Sequence, residues 1–206
     1  MILTTNDLSY KHLNYPNVEI IDNKINFIHG PSGSGKSTLL KLFNKSISPD
    51  KGQINFKGQE LRKLDSIELR KNITLCGQSS FLFPGTIYDN FKKYYSLREE
   101  NLPSKEEIEN ILEICQIDFD LDKDTYNLSG GEKQRVFIAL ILSFNPKVVL
   151  LDEPTSALDD KTAYKLMENI ISYSRAHKIT MVIVSHNDGI IEKFSENNIY
   201  IGDKNE

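Results

Sequence analysis

The chain has 206 residues, 39% hydrophobic and 26% charged, enough to bury a core without disulfide or metal staples. Its 25 Lys+Arg against 29 Asp+Glu leave a net charge of −4; this excludes a protein whose main task is neutralising nucleic-acid phosphates, and no nucleic-acid partner is expected. Cys76 and Cys115 stand far apart, which excludes a disulfide framework or zinc site and makes the cytosol the expected compartment.

The N-terminus, MILTTNDLSY, lacks the basic start and apolar stretch of a signal peptide. No apolar run nears the roughly 18 residues that span a bilayer, so any work at a membrane requires a separate anchor. Residues 2–10 and Ile54-Asn55-Phe56, the latter between Gly52 and Gly58, read as short antiparallel strands. Residues 25–28 form a candidate buried strand interrupted by Asn26. Gly30-Pro31-Ser32-Gly33-Ser34-Gly35-Lys36-Ser37 follows it, and Thr38 continues into a helical pattern.

That segment fits G-x-x-x-x-G-K-[ST] completely, in the strand–loop–helix context the motif requires. Glycines let backbone N–H groups curl around phosphate oxygens, and the helix N-terminus directs partial positive charge at the anion. Lys36 would reach the β- and γ-phosphates, and the Ser37 hydroxyl would ligate Mg²⁺. A Gly/Ser-rich turn without a ligand is the bland reading, but a chance match arises in about one chain in a hundred of this size. Nucleotide binding is therefore favoured, with Gly30 to Thr38 as the phosphate-binding set.

From about residue 88 to 128 the chain is polar and helical, with no strand signal. Ser104 and Glu107 make a capping-box pattern ahead of Ile108, Ile111, Leu112 and Cys115. Leu128-Ser129-Gly130-Gly131-Glu132 opens a helix that is apolar almost all round over residues 136–142. Ser129 and Glu132 again spell a capping box. The two glycines are costly in a helix and suit close backbone approach, so a second anion site fits the same residues.

Val148-Val149-Leu150-Leu151 is a doubly buried strand ending in Asp152 and Glu153. Asp152 is placed to hold Mg²⁺, and Glu153 to polarise an attacking water; two solvated acids at a strand end are the bland alternative. A stripe of Ala163, Leu166, Met167, Ile170 and Ile171 marks a helix, and Met181-Val182-Ile183-Val184 a further buried strand. Short apolar strands alternating with helices read as α/β.

Taken together, the motifs resemble the nucleotide-binding subunits of the ATP-binding cassette family, whose hallmark is LSGGE followed by a Q-R pair, here Gln134-Arg135. Gln78 matches the family's Q-loop glutamine, Ser156-Ala157-Leu158-Asp159 its D-loop, and His186 its switch histidine. The resemblance implies an α/β P-loop NTPase core with a mainly parallel sheet and a small antiparallel β subdomain. The core would span about residues 1–78 and 136–206, with a helical subdomain inserted at about 79–135. It implies an ATPase using ATP and Mg²⁺, paired head to tail as a homodimer, on the cytoplasmic side of the membrane beside a separate multi-span permease.

The resemblance also assigns roles. Lys36 and Ser37 act in cis, while Ser129, Gly130 and Gly131 close on the γ-phosphate of the facing copy. Glu153 is the base, His186 contacts the γ-phosphate, Gln78 completes the metal shell beside Ser37 and Asp152, and Asp159 communicates between sites. The family's adenine-stacking aromatic is replaced here: aligning the first strand puts His12 in that slot, with Tyr10 on the same strand face and Tyr15 beyond, and any of the three fits the role.

Ser79 to Tyr88 carries three aromatics, either a satellite core or a patch that grips a membrane subunit. A P-loop small-molecule kinase has no use for LSGGE or His186. A repair ATPase would need a long coiled-coil insertion, and translation factors of the family carry two cassettes. Transport is the most economical reading, with the segment around Gln78 resembling subunits of metal-exporting permeases and also peptide and lipid exporters.

Overall fold

Alternating apolar residues at the N-terminus form β1 (Leu3–Tyr10), which turns at Lys11 and His12 into β2 (Leu13–Asn14). Next come β3 (Glu19–Ile20), β4 (Ile25–His29), and α1 (Lys36–Phe43) after the glycine-rich turn. β5 (Lys51–Phe56) and β6 (Gln59–Glu60) form a hairpin, and α2 (Ser66–Asn72) leads into β7 (Ile73–Cys76). Two helices follow, α3 (Ile87–Arg98) and α4 (Lys105–Ile114). The remainder alternates: α5 (Gly130–Ser143), β8 (Val148–Asp152), α6 (Asp160–Ala176), β9 (Thr180–Val184), α7 (Asp188–Phe194) and β10 (Asn197–Tyr200). This computed structural model describes residues 1–78 and 81–202, so Ser79, Ser80 and residues 203–206 of the expected subdomains lie outside it.

Five strands run parallel in the order β10-β4-β9-β8-β7. Every position of β8 and β9 is buried, as in a sheet covered on both faces. The consequence for function is positional. The phosphate-loop segment leaves the carboxyl end of β4, His186 that of β9, Asp152 and Glu153 that of β8, and Gln78 that of β7. Four neighbouring strands thus deliver these residues to one edge, where open parallel sheets bind ligands.

Asn26, which broke the apolar run of β4, is fully buried and fully used. Its Nδ2 donates to the carbonyls of Ile21, Lys24 and Met181, and its Oδ1 accepts from Ile21 N and Asn197 Nδ2. A buried amide with five partners costs little and fixes the loop before β4.

The second sheet is antiparallel, in the order β2-β1-β5-β6 with β3 beside β1. β1 is bulged between Asn6 and Ser9, where Asp7 adopts φ 48°. Gly52 lies opposite, and a Cβ there would strike the Asn6 and Asp7 carbonyls.

Side chains alternate across β8. Val149 and Leu151 pack with α3, α4, α5 and α6, while Val148 and Leu150 face α1 and the antiparallel sheet. The helices between Gln78 and β8 therefore share one apolar core with the parallel sheet. α5 runs unbroken through residues 135 and 136, where the sequence suggested a boundary. The capping box at Ser104 and Glu107 forms as its pattern predicts. Among the described residues no helix is long and apolar enough to cross a membrane.

Candidate nucleotide site

Gly30, Gly33 and Gly35 adopt φ values of 142°, 81° and 93°, left-handed conformations that a side chain disfavours. At Gly30 a Cβ would run into the Ile201 carbonyl, and at Gly35 into Leu13 and Tyr15. Gly35 is also the N-cap of α1, with no side-chain cap bond, so that helix end offers backbone donors to an anion. Lys36 Nζ donates to the Gly30 carbonyl at 2.9 Å and the Pro31 carbonyl at 2.7 Å. Burial pulls its ammonium below the usual lysine range, against the attraction of Glu153 and Asp152. Ser34 Oγ is buried and has no hydrogen-bond partner among the described residues.

Ser37 Oγ donates to Asp152 Oδ1 at 3.0 Å. Asp152 is buried, and burial pushes its carboxyl above the ordinary range, opposed by the Ser37 bond. Glu153 leaves the strand with φ 52° while its N–H still donates to Val184 O at 3.0 Å. Its carboxylate Oε1 accepts from Gln78 Nε2 at 3.3 Å and lies 3.5 Å from His186 Nε2. The Glu153 carbonyl accepts from Gln134 Nε2 at 3.2 Å and Ser156 Oγ at 3.1 Å.

A cleft of about 380 Å³ is lined by His12, Leu13, Ser32, Gly33, Gly35, Lys36, Ser37, Thr38, Gln78, Glu153 and His186. A second depression continues from His12 along Pro31 and Ser34 to Gly202. The three candidate aromatic positions separate here. His12 is at the exposed tip of the β1–β2 turn, not within the strand as the alignment had it, and it borders both depressions. Tyr10 lines neither and packs half-buried against the core under the antiparallel sheet. Tyr15 is buried and donates its hydroxyl to the Gly35 carbonyl at 3.1 Å; burial pushes its phenol up to about 12. It braces the loop and has no face to offer a base, which corrects its place among the stacking candidates.

Ser129, Gly130, Gly131 and Asp159 line no part of the cleft. Ser129 caps α5, accepting from Glu132 N while its own N–H donates to the Glu132 carboxylate at 2.7 Å. Those bonds hold the Glu132 carboxyl below its usual range. A Cβ on Gly131 would touch Leu158 at 3.1 Å, so this turn packs on the turn that ends in Asp159. Asp159 caps α6, accepting from Thr162 N at 3.1 Å and Thr162 Oγ1 at 2.6 Å. The sequence reading gave Tyr15 and Gln134 no such roles, because the bond each makes joins segments distant in the chain.

The ABC transporter family model matches residues 13–156. The phosphate import ATP-binding protein PstB 1 of Lactococcus lactis is 36% identical over 99% of this chain and 87% of that protein. A probable iron export ATP-binding protein of Escherichia coli, FetA, is 37% identical over 85% and 78%. Relatives named for import and for export thus stand at the same level of identity. Among solved structures, the dimeric post-hydrolysis state of the ATP-binding cassette MJ0796 bound to ADP and Pi superposes with a TM-score of 0.83, at 29% identity over 97% of this chain and 94% of that one. The structure of cbiO1 from Clostridium perfringens, part of an ABC transporter complex, gives 0.82 at 30% identity over 97% and 84%. With a complete phosphate loop, a strand ending in paired acids and matches along nearly its full length, the chain belongs to the ABC transporter family as an ATP-binding, ATP-hydrolysing subunit.

Proposed function

We propose that this ATPase binds Mg-ATP along the Lys36 cleft, closes on the Ser129 turn of a second copy to form a head-to-tail homodimer, and transmits that closure to a separate multi-span permease. The observation that carries this reading is the convergence of Lys36, His186, Glu153 and Gln78 from four adjacent parallel strands on one cleft. The Ser129 turn is exposed and outside that cleft. A second copy supplies the way for it to reach a triphosphate.

Lys36 exchanges two neutral carbonyl partners for charged phosphate oxygens, a stronger class of hydrogen bond. The Ser37 hydroxyl and Asp152 carboxylate, already 3.0 Å apart, and the Gln78 amide are oxygen donors that fit Mg²⁺. Held by these residues, Mg²⁺ would supply neutralising charge to the triphosphate. Glu153 orients and deprotonates the attacking water, and His186, beside the same carboxylate, holds the γ-phosphate in line. His12 is the group placed to meet the base. Asp159, at the turn that supports Gly131, relays the state of one site to the other.

The core would be residues 1–78 and 136–206, with the helical arm at 79–135 carrying the permease contact. Phe81 is 59% exposed. Its ring packs edge-on to Phe83 at 4.9 Å, then Tyr94 at 5.4 Å, then Phe137 of α5 at 5.8 Å. This run supports both earlier readings: a satellite core with one end open to a partner. The subunit would then be a peripheral protein on the cytoplasmic face of the membrane.

Glu153→Gln is the test. It should retain ATP and accumulate as a dimer by light scattering, with turnover reduced at least a hundredfold. Turnover near that of the wild type would remove Glu153 from the chemistry.

A further inference from the structure

Glu153 carries its functional carboxylate on a backbone that residues with a Cβ disfavour, at φ 52°. Four hydrogen bonds hold that conformation: its N–H donates to Val184 O, and its carbonyl accepts from Gln134 Nε2, Ser156 Oγ and Ser156 N. The Val184 and Ser156 partners belong to the strand edge and to the turn that follows Glu153. Gln134 does not. It projects from α5, 5% exposed, five residues after the Ser129 cap.

We propose that Gln134 is a positioning residue for Glu153: its side-chain amide fixes the Glu153 backbone so that the carboxylate faces Gln78 and His186, tying that orientation to the helix whose exposed end is Ser129. The inference rests on the reading of Glu153 as the base. Physically, α5 is a rigid element with one end exposed for a second copy's phosphate and a buried amide one and a half turns further in. A shift of the helix start on dimer closure is therefore a shift of the donor that holds Glu153. The carbonyl keeps Ser156 as a partner if the amide is removed, so the loss leaves no orphaned acceptor. The effect falls on conformation at Glu153 more than on folding.

The test uses the full chain in saturating Mg-ATP, comparing Gln134→Met, which keeps volume and removes the N–H, with Gln134→Ala. Expected for Gln134→Met is a three- to tenfold fall in kcat with KM for ATP within twofold of wild type. Adding Gln134→Met to Glu153→Gln should cause no further loss, since the two act through one carboxylate. Independently of turnover, backbone amide exchange over residues 153–158 should quicken while that of β8 stays unchanged. A wild-type kcat and unchanged exchange in Gln134→Met, with Glu153→Gln inactive, would overturn this inference alone. Wild-type turnover by Glu153→Gln would overturn the base assignment and this inference with it. A raised KM with unchanged kcat would assign Gln134 to packing and also overturn it.

Discussion

Ser37 and Asp152, 115 positions apart in sequence, share a 3.0 Å hydrogen bond that joins the first turn of α1 to the end of β8. The bond does not fully offset the burial of the Asp152 carboxyl, whose pKa is raised. A raised carboxyl pKa means the folded chain binds that proton more tightly than the unfolded chain. Stability is then lost as pH rises from the unfolded value through the folded one.

Asp152→Asn should therefore stabilise the nucleotide-free protein at pH 7, by about 2–4 °C in Tm for each kcal/mol gained. The gain should fade on acidification and vanish where Asp152 is protonated. Thermal stabilisation by Mg-ATP should be lost. Melting curves at several pH values, with and without Mg-ATP, check both halves.

Capping and phosphate contact at Ser129 separate by substitution. Ser129→Ala removes the acceptor for Glu132 N and should cost about 1 kcal/mol. Ser129→Asp keeps a capping acceptor and sets a negative charge toward the partner's triphosphate. In the Glu153→Gln background it should fold normally and remain monomeric in Mg-ATP by light scattering; a dimer would mean this turn faces no phosphate.

Tyr15→Phe deletes the bond to the Gly35 carbonyl. It should weaken ATP and GTP binding equally, by about two- to tenfold. His12→Ala should weaken nucleotide binding by a similar factor with Tm unchanged, while inorganic triphosphate binding stays as it was. Competition titrations with the two nucleotides and triphosphate distinguish loop bracing from base contact.

Lys36→Ala should weaken ATP binding by about tenfold to a hundredfold, the range for losing charge-assisted bonds to phosphate. Calorimetric titration measures it directly. Unchanged affinity would mean that Lys36 stays on the Gly30 and Pro31 carbonyls when ATP binds.

Of the parallel strands, β4, β8 and β9 were legible because burial on both faces writes an apolar run, and α4 because its cap and stripe are local; the edge strands β7 and β10, only partly buried, were not. The phosphate loop was legible since its glycines answer a backbone need at fixed spacing. The placement of Tyr10 and His12 was not. Strand alternation assumes an unbroken register, and the bulge at Asp7 adds one residue that the partner strand does not match. The turn at Lys11, φ 53°, then lifts His12 out of the strand. The Gln134 and Tyr15 bonds were equally hidden, because each joins a side chain to a carbonyl 19 or 20 residues away. No local pattern encodes such a meeting.

α5 spans 14 residues, about 21 Å at helical rise, with Ser129 capping its start and Phe137 midway along. A stiff rod of that length converts a tilt of about 5° into about 2 Å of travel at its far end. Since Phe137 ends the run of rings that begins at Phe81, rocking the rod would also rock those rings. Mechanical leverage of this kind could carry an event at the catalytic edge to the outer surface with no joint needing to unfold.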